Sequence, residues 1–126
     1  MSDKPVILVV EDDDQIAFLI QYMLEHNGYA VARAADGKAA QALITSMAPP
    51  ALVTLDINLP HASGDELMIL IKSTPGWERV PVVMVTAKPK DHDVTWAVKT
   101  GAKAYLAKPF RPEELLEIVG RLARPA

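Results

Sequence analysis

The sequence contains no cysteine, and this absence excludes two kinds of structure at the outset. Without thiols the chain has neither a disulfide framework nor a thiolate metal site, so its folding does not depend on the redox state of its compartment. No apolar stretch is as long as a membrane span, and the first residues, MSDKP, carry no apolar targeting core. We therefore expect a cytoplasmic protein with no membrane association.

An excess of positive charge is also missing. The 13 Lys and Arg residues are outnumbered by 16 Asp and Glu residues, and the net charge of −3 argues against a nucleic-acid-binding surface. Hydrophobic residues make up 50% of the chain and charged residues 23%, which is too apolar for a disordered protein. The length of 126 residues fits one globular domain, expected to span 1–126.

Five apolar runs of strand length recur along the chain, and helical patterns separate them. The runs are VILVV (6–10), AVARA (30–34), ALVTL (51–55), VPVVMV (80–85) and KAYLA (103–107). Apolar residues spaced three and four apart predict helices over 15–26, over 37–47, around 67–71, around 94–98 and after residue 112. Strict alternation of strands and helices predicts an α/β fold, with a parallel sheet covered by helices on both faces.

Polar residues stand where the predicted strands end, which is where ligands bind in open α/β sheets. The residues at these ends are Glu11-Asp12-Asp13-Asp14 after the first strand, Asp56 after the third, Thr86-Ala87-Lys88 after the fourth and Lys108-Pro109 after the fifth. If the first and third strands are neighbours, the carboxylates of Glu11, Asp12 and Asp56 converge and raise each other's pKa values. A cation must then compensate. Lys108 supplies one positive charge, and a set of ligands made only of oxygen atoms describes Mg²⁺.

Several of these acids also have an ordinary structural explanation. Asp13 and Asp14 fit the cap and the first turn of a helix, where an acid matches the helix dipole. A cap is a weaker explanation for Asp56, because Leu59-Pro60 intervene before the next predicted helix. No single residue is specific, whereas the combination at four strand ends is a much stronger signal.

This combination resembles the receiver domain of two-component response regulators over nearly the whole chain. The stretches that carry the resemblance are VILVVEDD, LVTLDINLP, VVMVTA and GAKAYLAKPF. The resemblance implies a single flavodoxin-like (βα)5 domain, whose parallel five-stranded sheet has the order 2-1-3-4-5. It also implies a phosphorelay module that is not an enzyme beyond catalysing its own phosphorylation and dephosphorylation. The pair Glu11-Asp12 departs from the Asp-Asp of the family.

The resemblance assigns roles to the residues at the strand ends. Asp56 matches the phospho-accepting aspartate, which takes a phosphoryl group from a sensor histidine kinase or a histidine phosphotransfer protein. The implied Mg²⁺ ligands are Glu11, acting through water, Asp12, Asp56 and the backbone carbonyl of Asn58. The groups implied to hold the phosphoryl oxygens are Thr86, the backbone N–H of Ala87, and Lys108. The Lys108–Pro109 bond is implied to be cis.

The resemblance also implies how the signal leaves the domain. Thr86 and Tyr105 match the switch residues, and the output surface is the fourth helix, fifth strand and fifth helix, available to a second copy or a downstream effector. At 100° per residue, Trp96 lies about 200° from Val94, on the solvent side of the fourth helix. Trp96 is therefore a candidate interface anchor, and packing against the stem of Lys99 is the alternative.

Three other functions fit the sequence less well. A Mg²⁺-dependent phosphohydrolase with an aspartyl nucleophile needs a second acid two residues further on, where this chain has Asn58, and a cap region for its substrate. A flavin or nucleotide carrier needs a glycine-rich loop after the first strand, and none is present. A degenerate receiver would lack part of the site, whereas this set is complete. The sequence leaves open whether the receiver stands alone or begins a longer protein.

Overall fold

The computed structural model describes residues 4–56, 64–86 and 101–123. The strands are β1 (Val6–Val10), β2 (Ala30–Ala34), β3 (Leu52–Asp56), β4 (Val82–Thr86) and β5 (Ala104–Ala107). The helices are α1 (Asp14–His26), α2 (Gly37–Ser46), α3 (Gly64–Ser73) and α4 (Pro112–Leu122). Helix α4 is the predicted fifth helix, and the predicted fourth helix, around 94–98, lies outside the described residues. None of the four described helices has the length and apolar character needed to cross a bilayer.

All five strands are parallel, and their order in the sheet is β2-β1-β3-β4-β5. The predicted α/β fold and strand order are therefore confirmed. The register pairs Val10 with both Ala34 and Leu55, and Thr86 with Ala107. Because the strands run in one direction, their C-terminal ends lie at one edge of the sheet, and the residues that follow them meet there.

The apolar core is divided by the sheet into two clusters. One cluster packs alternate strand residues, including Leu8 and Leu55, against α2 and α3. The other packs Ile7 and Leu52 against α1 and α4. Successive side chains of a strand point to opposite faces, so a central strand covered on both sides must be apolar throughout. This explains the continuous apolar runs in β1, β3 and β4.

Side-chain caps fix the helix starts that border the sheet edge. The Asp13 carboxylate accepts hydrogen bonds from the backbone N–H groups of Gln15 at 2.9 Å and Ile16 at 3.0 Å. Asp36 caps α2 by accepting one from the N–H of Ala39 at 2.8 Å. Asp13 is thus a cap and Asp14 a first-turn acid, as predicted. These bonds hold the loop that carries Glu11 and Asp12 against the start of α1.

Candidate functional site

Three carboxylates meet at the C-terminal edge of the sheet. Glu11 and Asp12 directly follow β1, and Asp56 is the last residue of β3. One carboxylate oxygen from each lies within 4.8 Å of the other two. Glu11 and Asp56 are buried, with 2% and 5% of their surfaces exposed, whereas Asp12 is exposed. The acids therefore converge as the sequence predicts, two of them in a poorly solvated position.

Lys108 supplies the compensating charge. Its Nζ lies 2.6 Å from Glu11 Oε1 and 3.2 Å from Asp56 Oδ2, and only 13% of its side chain is exposed. It follows β5 directly, and the Lys108–Pro109 bond is cis, as predicted. One ammonium group thus bridges the two buried carboxylates.

Burial and neighbouring charges set the protonation of this cluster. Burial raises the pKa of Glu11; the hydrogen bonds from Lys108 and from the Asp13 N–H oppose that rise, the Asp56 carboxylate adds to it, and the result is a pKa of about 7. Burial alone lowers the pKa of Lys108, but its hydrogen bond to Glu11 and the charge of Asp56 outweigh burial and raise it. Lys108 is therefore cationic at neutral pH, and Glu11 is the group of this pair that titrates near neutrality.

Glu11 is held by its backbone as well as by its side chain. Its N–H donates to the carbonyl of Ala34 at 3.0 Å, and its Oε2 accepts from the N–H of Asp13 at 3.2 Å. Its own carbonyl accepts two hydrogen bonds from Arg33, from Nε at 3.1 Å and from Nη2 at 2.8 Å. The sequence analysis missed Arg33. The available signal was a single charged residue inside the otherwise apolar run AVARA.

The remaining predicted residues are only partly within the described structure. Thr86 ends β4, with its backbone beside Ala107 of β5. Tyr105 is half-buried in β5 and packs against the cluster on the α2 and α3 face. The predicted residues outside the described ranges are Asn58, Ala87, Lys88 and Trp96.

An apolar depression borders the carboxylate cluster. It has a volume of about 380 Å³ and is lined by Ile16 and Leu19 of α1 and by Lys108, Pro109 and Phe110. Leu19 is 45% exposed. Phe18 and Tyr22 of the same helix are exposed as well, with their ring centroids 6.4 Å apart. Lys108 thus contacts the buried acids and also lines this depression.

The family model of the response regulator receiver domain matches residues 7–120. The chain belongs to this family. Receiver domains are signalling modules of two-component systems rather than enzymes in the ordinary sense. Among its curated relatives, the phosphate regulon transcriptional regulatory protein PhoB of Rhizobium meliloti is 35% identical over 97% of this chain and 53% of its own length. The DNA-binding response regulator MtrA of Mycobacterium tuberculosis is 37% identical over 94% of this chain and 50% of its own length. This receiver chain therefore spans about half the length of these relatives.

Solved structures of other receiver domains have the same fold. A CheY-like receiver domain protein from Methanospirillum hungatei has a TM-score of 0.84 and 33% identity, covering 94% of this chain and 92% of its own. The receiver domain of the sensor histidine kinase PA1611 from Pseudomonas aeruginosa has a TM-score of 0.85 and 31% identity, covering 94% of this chain and 97% of its own. That structure has a magnesium ion coordinated in its active-site cleft.

The pKa of Glu11 predicts a pH dependence of stability in the metal-free receiver. The folded state binds the Glu11 proton more tightly than the unfolded state does, because the pKa rises from 4.5 to about 7 on folding. The free energy of unfolding should therefore fall as the pH rises from about 4.5 to 7, by roughly 3 kcal/mol from this group at 1.36 kcal/mol per pKa unit.

Urea unfolding in the presence of a chelator, at pH 5 and pH 8, measures this difference. The matched control is Glu11→Gln, which keeps the shape of the side chain but cannot titrate, and the pH-dependent loss should be smaller in it by about the same roughly 3 kcal/mol. Equal pH dependence in the two proteins would contradict the assignment to Glu11.

Proposed function

We propose that this receiver accepts a phosphoryl group on Asp56 from a sensor histidine kinase or a histidine phosphotransfer protein, in a Mg²⁺-dependent reaction of a phosphorelay. The observation that carries the proposal is the buried Asp56 carboxylate, 3.2 Å from the Lys108 ammonium and beside two further acids. We assign this function to the domain as a whole, residues 1–126. In this proposal the domain catalyses only its own phosphorylation and dephosphorylation.

In the proposed reaction an Asp56 oxygen attacks the phosphorus atom of a phosphohistidine or of a small acyl phosphate. A P–O bond to Asp56 forms as the bond to the leaving group breaks, and the leaving nitrogen or oxygen keeps the electron pair. The transition state is loose, and its charge spreads over three equatorial oxygens. The protein must therefore aim positive groups at those oxygens. Lys108 is already against Asp56, and Thr86 with the N–H of Ala87 is assigned to another oxygen.

The acidic cluster suits Mg²⁺, which prefers hard oxygen ligands and keeps some of its water. Oxygen atoms from Glu11, Asp12 and Asp56 lie within 4.8 Å of one another, so their spacing allows one small cation to be shared. We assign Asp12, Asp56 and the carbonyl of Asn58 as direct ligands, with Glu11 acting through water. When bound, the ion supplies charge neutralisation at a phosphoryl oxygen.

The depression beside Lys108 supports a protein as the phosphoryl donor. A histidine on a partner protein reaches Asp56 only if that protein covers the rim of the site, and Leu19, Pro109 and Phe110 form an apolar part of this rim. Exposed apolar surface next to a polar site is typical of a protein interface. We therefore assign this surface to the phosphodonor protein.

We further propose that phosphorylation draws the Thr86 hydroxyl towards the phosphoryl group and lets Tyr105 turn inward. A phosphoryl group adds about 1.5 to 2 negative charges and strong acceptor oxygens. Tyr105 is half-buried and its hydroxyl oxygen is inaccessible to solvent. The phosphoryl group would favour such an inward position over an exposed one by shifting an existing equilibrium. The surface altered by this movement is β5, α4 and the predicted fourth helix, where a second copy or an effector would bind.

Incubation with a small acyl phosphate and Mg²⁺ should add one phosphate, labile to hydroxylamine and detected by mass spectrometry. Asp56→Asn should abolish this addition because the amide cannot act as the nucleophile. Asp14→Asn, which changes an exposed acid of α1 outside the cluster, should retain it. Phosphorylation of the Asp56→Asn protein to the same extent as the unaltered protein would refute the proposal.

Leu19→Ala should slow phosphotransfer from a protein donor by at least about fivefold, equivalent to about 1 kcal/mol, as expected for an interface residue of moderate importance. Phosphorylation by the small acyl phosphate should be unaffected, because that donor needs no docking surface. Ile69→Ala is the matched control, since Ile69 is 66% exposed but lies on α3. A uniform effect of Leu19→Ala on both donors would argue against docking on this surface.

A beryllofluoride mimic of the phosphoryl group should change the environment of Tyr105 when Mg²⁺ is present. Fluorotyrosine NMR reads this change directly, because the chain has only three tyrosines. Tyr22 is exposed on α1 and serves as the internal control, with an unchanged signal. An unchanged Tyr105 signal in protein saturated with the mimic would show that it is not a switch residue.

A further inference from the structure

Arg33 connects the edge strand β2 to the loop that carries the acidic pair. Its neighbours Ala32 and Ala34 belong to the cluster on the α2 and α3 face, so the side chain of Arg33 points to the α1 face. There its guanidinium donates two hydrogen bonds to the Glu11 carbonyl, at 3.1 and 2.8 Å. It also pairs with Asp14 Oδ1 at 3.0 Å.

The hydrogen bonds to Glu11 determine the direction of Asp12. A peptide unit is planar, so the Glu11 carbonyl oxygen shares a rigid plane with the nitrogen and Cα of Asp12. Arg33 holds that oxygen by hydrogen bonds, and the Glu11 N–H donates to the Ala34 carbonyl at 3.0 Å. Together these bonds fix the peptide plane from which the Asp12 side chain extends. Within residues 4–56, 64–86 and 101–123, no hydrogen bond or ion pair holds the Asp12 carboxylate itself. Its position therefore depends on its backbone.

We infer that Arg33 is a positioning residue of the phosphoacceptor site. It holds the Glu11–Asp12 peptide so that both carboxylates face Asp56 and are ready to share a divalent cation. The inference rests on the proposed Mg²⁺-dependent function of the site, and the contact with a backbone carbonyl places Arg33 behind the acids rather than among them.

If Arg33 acted only through its charge, its removal would have the opposite effect on Mg²⁺ affinity. A guanidinium close to three acids repels a divalent cation, so removing its charge would tighten Mg²⁺ binding. The ion pair with Asp14 offsets part of that charge, but Asp14 is almost fully exposed, so this pair itself contributes little. The planar fork of Arg33 reaches one carbonyl through two nitrogens, which the single ammonium of a lysine cannot reproduce.

Three variants separate these roles. Arg33→Lys keeps the charge and loses the fork, Arg33→Gln loses both, and Asp14→Asn breaks the ion pair without touching the Glu11 carbonyl. Mg²⁺ titration of the unphosphorylated proteins by calorimetry gives the affinity, and NMR relaxation of the Asp12 and Asp13 amides in metal-free protein reports the mobility of the loop. Thermal melting verifies that each variant is folded.

Both Arg33 variants should bind Mg²⁺ about tenfold more weakly, in the range found for residues that orient metal ligands, and should show a more mobile Asp12 amide. Asp14→Asn should change the affinity less than about twofold, as expected for an exposed ion pair. Phosphorylation of Arg33→Lys by a small acyl phosphate should be slow at limiting Mg²⁺ and recover at saturating Mg²⁺, a pattern that a general loss of structure does not produce. If Arg33→Gln does not fold, Arg33→Lys decides the question.

Three outcomes would overturn the inference. Arg33→Lys could leave the Mg²⁺ affinity unchanged, Arg33→Gln could bind Mg²⁺ more tightly, or Asp14→Asn could weaken Mg²⁺ binding as much as the Arg33 variants do. The wild-type protein distinguishes this failure from failure of the proposed function. If it binds Mg²⁺ and Asp56 is not phosphorylated, the proposed function is wrong and the role of Arg33 is still decided by the affinities. If it binds no Mg²⁺, both are wrong.

Discussion

The contact of one ammonium group with two buried carboxylates is the interaction on which the site depends. Glu11 and Asp56 are almost completely removed from solvent at the end of neighbouring strands, and like charges at this separation repel strongly. The Nζ of Lys108 lies 2.6 Å from Glu11 Oε1 and 3.2 Å from Asp56 Oδ2. These contacts raise the pKa of Lys108, so the ammonium group stays charged. Losing a single partner from such a buried group leaves an uncompensated charge, which is far more destabilising than losing an exposed pair.

Much of the fold and part of the site followed from the sequence because parallel strands end at one edge of a sheet. Once VILVV and ALVTL were interpreted as neighbouring strands, the convergence of Glu11, Asp12 and Asp56 needed no side-chain detail. Strand boundaries were less predictable. Val80 and Pro81 were placed in the fourth strand, which begins at Val82, although the Pro81 carbonyl still accepts a hydrogen bond from the N–H of Val53 at 3.0 Å. Proline has no N–H to donate to a ladder, so it falls at the start of a strand.

Interactions that depend on the reach of a long side chain could not be predicted in this way. Spacing along the chain does not reveal that Lys108 contacts Glu11 more closely than Asp56, or that Arg33 crosses from the edge strand to the Glu11 carbonyl. A pKa near 7 for Glu11 is equally inaccessible, because it depends on the balance of burial against two hydrogen bonds. The pattern also gave no hint that Leu19 and Phe110 line a depression beside the site.

Successive side chains of β5 point to opposite faces of the sheet. Tyr105 packs towards α2 and α3, whereas its neighbours Ala104 and Leu106 pack towards α1 and α4. Just beyond the strand, Phe110 lines the depression that α1 shares. Tyr105 and the depression therefore lie on opposite faces of the sheet. Any influence of one face on the other would have to pass through the backbone of β5, the strand that both faces share.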